Sequence, residues 1–258
     1  MNKKVLVTGS TKGIGQGILK KFHDENWDVC VSGRDDQLVE KLTYRLNEVR
    51  ENSTIGLSAD LAHGEDIERV FKYINEKWGY LDCVVFNIGS GAGTKGLDAT
   101  FESNFLLMNI NLINTVKQFK VFLPLIKNGE KPGAAIFIGS IAQHSNVDSP
   151  LAYSYSKRAI NVFARYQALE LAESRIRVNV INPGHTITEA GVWGKRKKES
   201  IEAFDEFISR SIPLGSIGKV EDIAEVVFSL ASQEFNKYLT GQVINVDGGT
   251  SLQKGSTW

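Results

Sequence analysis

The chain reads as an α/β protein, a doubly wound, Rossmann-type parallel sheet of about seven strands with helices on both faces, built by one domain over residues 1–258. Three observations predict this. Short β-branched runs recur roughly every thirty residues, amphipathic stretches lie between them, and no linker, low-complexity tract or internal repeat marks a second domain. A chain of 258 residues that is 42% hydrophobic is long enough to bury one large core. Strand alternating with helix implies parallel strands joined by right-handed crossovers.

The expected strands are KKVLVT (3–8), DVCVS (28–32), STIGLSA (53–59), DCVVFN (82–87), GAAIFIGS (133–140), IRVNVIN (176–182) and QVINV (242–246), each read as a central strand buried on both faces. Between them, GIGQGILKKFHDEN, DDQLVEKLTYRLNEVR, GEDIERVFKYINEKWG and KRAINVFARYQALELAES are helical; in the third, Ile67, Val70, Phe71 and Ile74 form one buried stripe. The longest irregular stretch, about 184–212, follows the sixth strand, and a loop of this length in a compact domain reads as a lid.

After the first strand comes TGSTKGIG, in which Gly9, Gly13 and Gly15 are spaced G-x-x-x-G-x-G directly before a helix. Glycine permits a sharp turn and a close approach to a pyrophosphate, and the helix N-terminus then holds the anion. A glycine-rich strand-to-helix turn without a ligand is the plainer alternative. The second strand ends VSGRDD, where an adenosine ribose would sit. Asp35 falls in the next helix's first turn, where it serves as an N-cap. Arg34, with Lys12 from the glycine turn, supplies two cations able to flank a 2′-phosphate, which favours NADP(H), with NAD(H) as the alternative.

The segment LAYSYSKRAINVFARYQALELAES reads as one long helix. Tyr153 and Lys157, four apart, share a face, while Tyr155 is rotated roughly 160° from Lys157. Only Tyr153 can use that lysine. A phenol is a poor proton shuttle at neutral pH, and a nearby ammonium lowers its pKa towards the working range. Tyr153 is therefore the expected acid/base and Tyr155 a packing or subunit-contact residue. Ser140 ends a strand thirteen positions before Tyr153, at the carboxyl edge of the sheet, where its hydroxyl could hydrogen-bond a carbonyl oxygen; a local turn bond is the plainer alternative.

These motifs resemble the short-chain dehydrogenases and reductases over nearly the whole chain. TGSTKGIG, residues Thr8 to Gly15 and thus including Ser10, Thr11, Lys12 and Ile14, is similar to the family's cofactor turn, and Asp60-Leu61 to its adenine-contacting pair. FNIG, with Asn87 and Gly89, resembles a departed NNAG motif, with Phe86 and Ile88 in place of its first Asn and its Ala. Asn111, thirteen residues before Pro124, falls at the family's catalytic asparagine. Pro183-Gly184 with Thr188 resembles the segment that meets the nicotinamide end. IPLGSIGKVEDIAEVVFSLAS and YLTGQVINVDGG are similar to the 3-oxoacyl-carrier-protein reductase branch and its sugar and polyol relatives.

The resemblance implies hydride delivery to a carbonyl carbon while Tyr153 protonates the oxygen. Lys157 holds the nicotinamide ribose and depresses the tyrosine pKa, Ser140 orients the carbonyl, and Asn111 anchors a water that refills the proton through the lysine. It implies a carbonyl reductase or alcohol dehydrogenase acting on a small molecule, specifically a 3-oxoacyl thioester or a sugar or polyol in the narrower readings. It also implies a homotetramer or homodimer formed through the Tyr153 helix and the last strand, with the tail GTSLQKGSTW reaching a neighbour. A non-catalytic dinucleotide-binding protein is the rival from another class, but it would be expected to lose one of Ser140, Tyr153 or Lys157. A serine hydrolase lacks its G-x-S-x-G elbow.

Thirty basic and thirty acidic residues cancel, so nothing suggests nucleic acid or an anionic membrane. No run approaches a membrane span, and MNKKVLVTGS passes from two lysines into a strand, so an unprocessed, cytoplasmic protein is expected. Cys30 and Cys83 sit in strand-like runs and read as reduced, inert hydrophobes. Lys195 to Lys198 read as a solvated helix face, with docking of an acidic carrier protein or a phosphorylated substrate as the alternative. Trp193 and Phe204 read as packing, or as walls of the substrate pocket. His144 and His185 belong to no metal cluster and read as exposed or core residues, although either could border the pocket. SGAGTKG after the fourth strand is flexible enough to join the rim.

Overall fold

All seven expected runs form strands: β1 Lys4–Val7, β2 Asp28–Gly33, β3 Thr54–Ser58, β4 Cys83–Phe86, β5 Ala134–Ile138, β6 Arg177–Pro183 and β7 Val243–Val246. The computed structural model describes residues 2–62, 64–129, 132–144, 148–189 and 191–252. The strands make one sheet in the order β3-β2-β1-β4-β5-β6-β7, every neighbouring pair parallel. The chain order reverses between β1 and β4, where Val5 lies opposite Cys83 and Val7 opposite Val85. A crevice opens at this switch point, beyond the carboxyl ends of the strands.

Helices α1 Gly13–Asp24, α2 Asp36–Val49, α3 Gly64–Lys77, α4 Phe101–Met108, α5 Asn114–Lys127 and α6 Leu151–Glu170 follow in chain order, with α7 Val192–Glu199, α8 Ile201–Ser211 and α9 Val220–Ala231 near the end. Alternating strand residues feed two cores. Leu6, Val84, Phe86, Phe137 and Val180 pack against Ile67 of α3, Phe119 of α5 and Ile160 of α6. Val5, Val7, Val31, Val85 and Ile136 pack against Ile18 and Phe22 of α1 and Val227 of α9. Phe86 stacks on Phe137 with ring centroids 4.7 Å apart, which explains why the first position of FNIG is apolar.

Burial on both faces holds for the inner strands but not for the edges. β3 and β7 keep partial exposure along most of their length, because each has one neighbouring strand instead of two. The stretch 184–212 is also more regular than expected. Ser200 ends α7 and caps α8, its hydroxyl accepting from the Ala203 N–H at 3.2 Å, and this places two helices where an irregular lid was expected. Residues 253–258 of the expected subunit-contact tail lie outside the described residues.

Candidate active site

The crevice has a volume of about 1000 Å³. Its floor is the glycine turn. Gly9 takes the left-handed conformation at φ +66°, and a Cβ on Gly15 would fall 2.4 Å from the Gly9 carbonyl oxygen. The turn therefore closes only with glycine at both places. No side chain caps the start of α1, so its first N–H groups face the crevice together with the positive end of the helix dipole. Asn87 locks the turn to β4: its Nδ2 donates to the carbonyls of Thr8 (3.0 Å) and Gly9 (3.2 Å), and its own N–H donates to the Thr8 hydroxyl at 2.9 Å. Ile88 lines the crevice beside it.

At the far end, Lys12 and Arg34 line the crevice and Arg34 Nη1 lies 3.9 Å from Asp60 Oδ2. Asp35 accepts from the Leu38 N–H at 3.1 Å, which is the capping role its position predicts. Two residues of the expected cofactor set lie behind the wall. Ser10 is fully buried and ties the turn to β2, its hydroxyl accepting from the Ser32 N–H at 3.0 Å. Leu61 belongs to the core, its carbonyl accepting from Gln118 at 3.1 Å; Ala59 and Ala62 line the crevice instead.

Tyr153, Lys157 and Ser140 converge on the opposite wall, with Gly89, Pro183, Gly184 and Thr188 around them. The Lys157 ammonium lies 5.8 Å from the Tyr153 ring centroid, as expected one turn further along α6, whereas Tyr155 is 38% exposed. Lys157 Nζ donates to the Ile138 carbonyl at 2.8 Å, and burial pulls its pKa from 10.5 down to about 8. Tyr153 departs from the electrostatic expectation. Withdrawal from water pushes its phenol above the ordinary value of 10, and a hydrogen bond with the Ser140 hydroxyl pulls it partly back. Desolvation dominates because the lysine is engaged with a backbone carbonyl rather than with the phenolic oxygen. The Ser140 oxygen also accepts from the Ala142 N–H at 3.1 Å, so its local turn bond and its place beside Tyr153 coexist.

Asn111 is fully buried within a π-helical turn, Asn109–Ile113, and does not line the crevice. Its Oδ1 accepts from the Ser90 N–H at 3.0 Å, and its Nδ2 donates to the carbonyls of Ser90 (2.9 Å) and Leu107 (2.8 Å). The side chain is thus spent on holding the rim segment, of which Ser90 and Gly91 line the crevice. Its backbone carbonyl accepts from the Thr115 hydroxyl at 3.2 Å.

Sequence reasoning missed Ile110, Ile138 and Gly139 as lining residues. They carry no reactive group, and the only signal was their adjacency to Asn111 and Ser140. The other candidates lie off the wall. His185 packs against Trp193 (4.7 Å) and Phe207 (5.0 Å), Phe204 is buried, and among the described residues no histidine lines the crevice. No helix among the described residues is long and apolar enough to cross a membrane.

Comparison with known proteins agrees along the whole length. A family model described as Enoyl-(Acyl carrier protein) reductase matches residues 9–251. Carbonyl reductase family member 4 of Xenopus laevis is 29% identical over 252 residues, covering 98% of this chain and 99% of its own. Glucose 1-dehydrogenase of Gluconobacter oxydans (strain 621H) is 30% identical over 251 residues, 97% of this chain and 92% of its own. Among solved structures, the Pseudomonas aeruginosa RhlG/NADP active-site complex superposes with a TM-score of 0.87 at 29% identity over 96% of each chain. This chain belongs to the short-chain dehydrogenase/reductase family of oxidoreductases, in the part of it that the Enoyl-(Acyl carrier protein) reductase model describes.

Proposed function

We propose that the protein is an NADP(H)-dependent oxidoreductase that interconverts a carbonyl and a secondary alcohol, with Tyr153 as the acid/base. The observation that carries this reading is the convergence of Tyr153, Lys157 and Ser140 on one wall of a crevice whose floor is the glycine turn. The site fits a dinucleotide: Gly9, Gly13 and Gly15 line the crevice with backbone and no side chain, and the uncapped α1 terminus offers amides to a pyrophosphate. Gly9, Thr11 to Gly15 and Asn87 would hold the phosphates, Ala59, Asp60 and Ala62 the adenine, and Pro183, Gly184 and Thr188 the nicotinamide end.

When bound, the coenzyme supplies the hydride for the carbonyl carbon. Ser140 orients the carbonyl oxygen, and Tyr153 donates its proton to that oxygen as charge develops there. The raised phenol pKa keeps Tyr153 protonated at neutral pH, the form that reduction needs. Lys157 holds the ribose, and the Asn111 carbonyl holds the water that returns a proton to Tyr153 through Lys157. In alcohol oxidation Tyr153 accepts the proton instead.

NADP(H) is favoured over NAD(H) because the basic side chains lining the adenosine end are Lys12 and Arg34, while Asp35, which also lines the crevice, has its Oδ1 engaged by the Leu38 N–H in the α2 cap. The NADP complex of the similar Pseudomonas protein supports this choice. The likeness to the 3-oxoacyl-[acyl-carrier-protein] reductase FabG of Buchnera aphidicola, 29% identical over 248 residues, supports a 3-oxoacyl thioester as substrate, and the likeness to glucose 1-dehydrogenase supports a sugar or polyol. α7 and α8 form the lid over it. A homotetramer or homodimer is supported by exposed Phe101 and Phe105 on α4 and by a hollow of about 350 Å³ on α6 between Val162, Arg165, Tyr166 and Leu169. Two buried free thiols support a cytoplasmic setting.

The test is oxidation of NADPH and NADH against a panel of carbonyls that includes an acetoacetyl thioester and keto-sugars, with Tyr153→Phe as control. Turnover should fall by about 10³-fold in the variant while NADPH still binds. A fully active phenylalanine variant overturns the assignment of the acid.

A further inference from the structure

The geometry points to Asn182 and Asn245 as positioning residues that fix Ser140 through a closed ring of hydrogen bonds in which His144 is the final acceptor; the kinetic part of this inference rests on the role of Ser140 proposed above. Ser140 stands at the start of a single 3-10 turn, Ile141–Gln143, too short to be rigid alone. The β5–β6 ladder stops at the pair Ile138 and Ile181, so the Ser140 N–H has no strand partner. Asn182, one residue further along β6 and fully buried, replaces it: its Oδ1 accepts from the Ser140 N–H at 3.0 Å. A Cβ on Gly139 would fall 1.9 Å from that oxygen, so the amide reaches Ser140 only because position 139 has no side chain.

From this bond the direction of the whole ring follows. A backbone N–H can only donate, so the Asn182 atom facing it is the oxygen and the Asn182 nitrogen points away. That Nδ2 donates to Asn245 Oδ1 at 3.0 Å. Asn245 Nδ2 must then donate in turn, and it lies 3.0 Å from the Ser251 hydroxyl and 3.3 Å from His144 Nε2. His144 closes the ring because its own N–H donates to the Ile141 carbonyl at 2.9 Å, inside the turn that begins at Ser140. Two asparagines from neighbouring strands therefore hold both ends of the serine's turn, and His144 carries its proton on Nδ1 with Nε2 bare.

A purely structural role would be to satisfy one buried N–H, and it predicts neither the tautomer nor coupling to Ser140. The experiment reads both in the full-length protein. Long-range 15N NMR of the histidine rings, with His144→Phe for assignment, should show Nε2 of His144 unprotonated in wild type. In Asn245→Asp the carboxylate offers only acceptors, and the proton should move onto Nε2. A protonated Nε2 in wild type, or no change in Asn245→Asp, overturns the ring.

Kinetics are measured with whichever of the acetoacetyl thioester and keto-sugars wild type reduces fastest. Asn182→Ala, and Asn245→Leu as the more exposed variant that is safer for folding, should each lower kcat by about ten- to a hundredfold without changing NADPH affinity. In a Ser140→Ala background the same substitutions should add almost nothing, because they act through a hydroxyl that is no longer there. Losses that multiply in that background overturn the positioning role. If Ser140→Ala alone turns over normally, the proposed role of Ser140 fails, and the tautomer measurement still decides whether the ring exists.

Discussion

Replacing Arg34 with alanine should weaken NADPH far more than NADH. The guanidinium is 74% exposed and sits 3.9 Å from Asp60 at the mouth of the crevice. Two unit charges about 4 Å apart in water attract by about 1 kcal/mol, and a phosphate monoester carries a charge of about −1.5 to −2. The gross attraction is therefore about 2 kcal/mol. Part of it is offset because Arg34 must loosen its pairing with Asp60, and exposed ion pairs are worth little on their own. A net loss of about 1 to 2 kcal/mol corresponds to about a five- to thirtyfold rise in KM for NADPH. KM for NADH should stay level or fall. The assay is initial rate against each coenzyme at fixed carbonyl, repeated at low and high salt, and the wild-type preference should shrink as the Debye length shortens. Equal changes for both coenzymes, or none, would refute the assignment of Arg34 to a 2′-phosphate.

Other expectations concern the two sides of the crevice. Burial lowers the Lys157 pKa from 10.5 to about 8, which corresponds to about 3 kcal/mol of strain carried by the ammonium in the free protein. Below pH 8 folded and unfolded chains both hold the proton and the cost is complete; it is relieved as pH rises from about 8 to 10.5, where only the unfolded chain still binds it. Lys157→Met should therefore abolish turnover yet raise the melting temperature near pH 7 by about 5 °C, after about 1 kcal/mol is deducted for the lost bond to Ile138, and this gain should fade towards pH 10. A variant that melts lower at pH 7, or whose gain does not depend on pH, contradicts the cause given for the shift. Gly15→Ala should keep the fold but lose the glycine turn's grip on the coenzyme: wild type should gain about 3 kcal/mol of stability at a hundredfold excess of NADPH over its Kd, and the variant almost none at the same concentration. Thermal shift with and without NADPH reads this directly, and equal shifts would remove the turn from the binding site.

The seven strands were legible in the sequence because a strand buried on both faces needs an unbroken apolar run, and Val5-Leu6-Val7 or Val84-Val85-Phe86 can hardly serve another purpose. Tyr153 and Lys157 were legible for the same kind of reason, since helical periodicity fixes which residues share a face before any tertiary contact forms. Spacing cannot report what surrounds a side chain. Only the tertiary structure decided that desolvation, not a lysine charge, governs the Tyr153 phenol, that Asn111 uses its amide to hold the Ser90 segment, and that Ser10 and Leu61 lie behind the wall they were expected to form. Asn182 and Asn245 are 63 residues apart, and the motif that contains Asn245 says nothing of Asn182; they meet because β6 and β7 pair in register, and a hydrogen bond between neighbouring strands leaves no periodic trace in either one. Local geometry is written in short-range pattern, whereas dielectric and hydrogen-bond partnership belong to the volume in which distant segments pack.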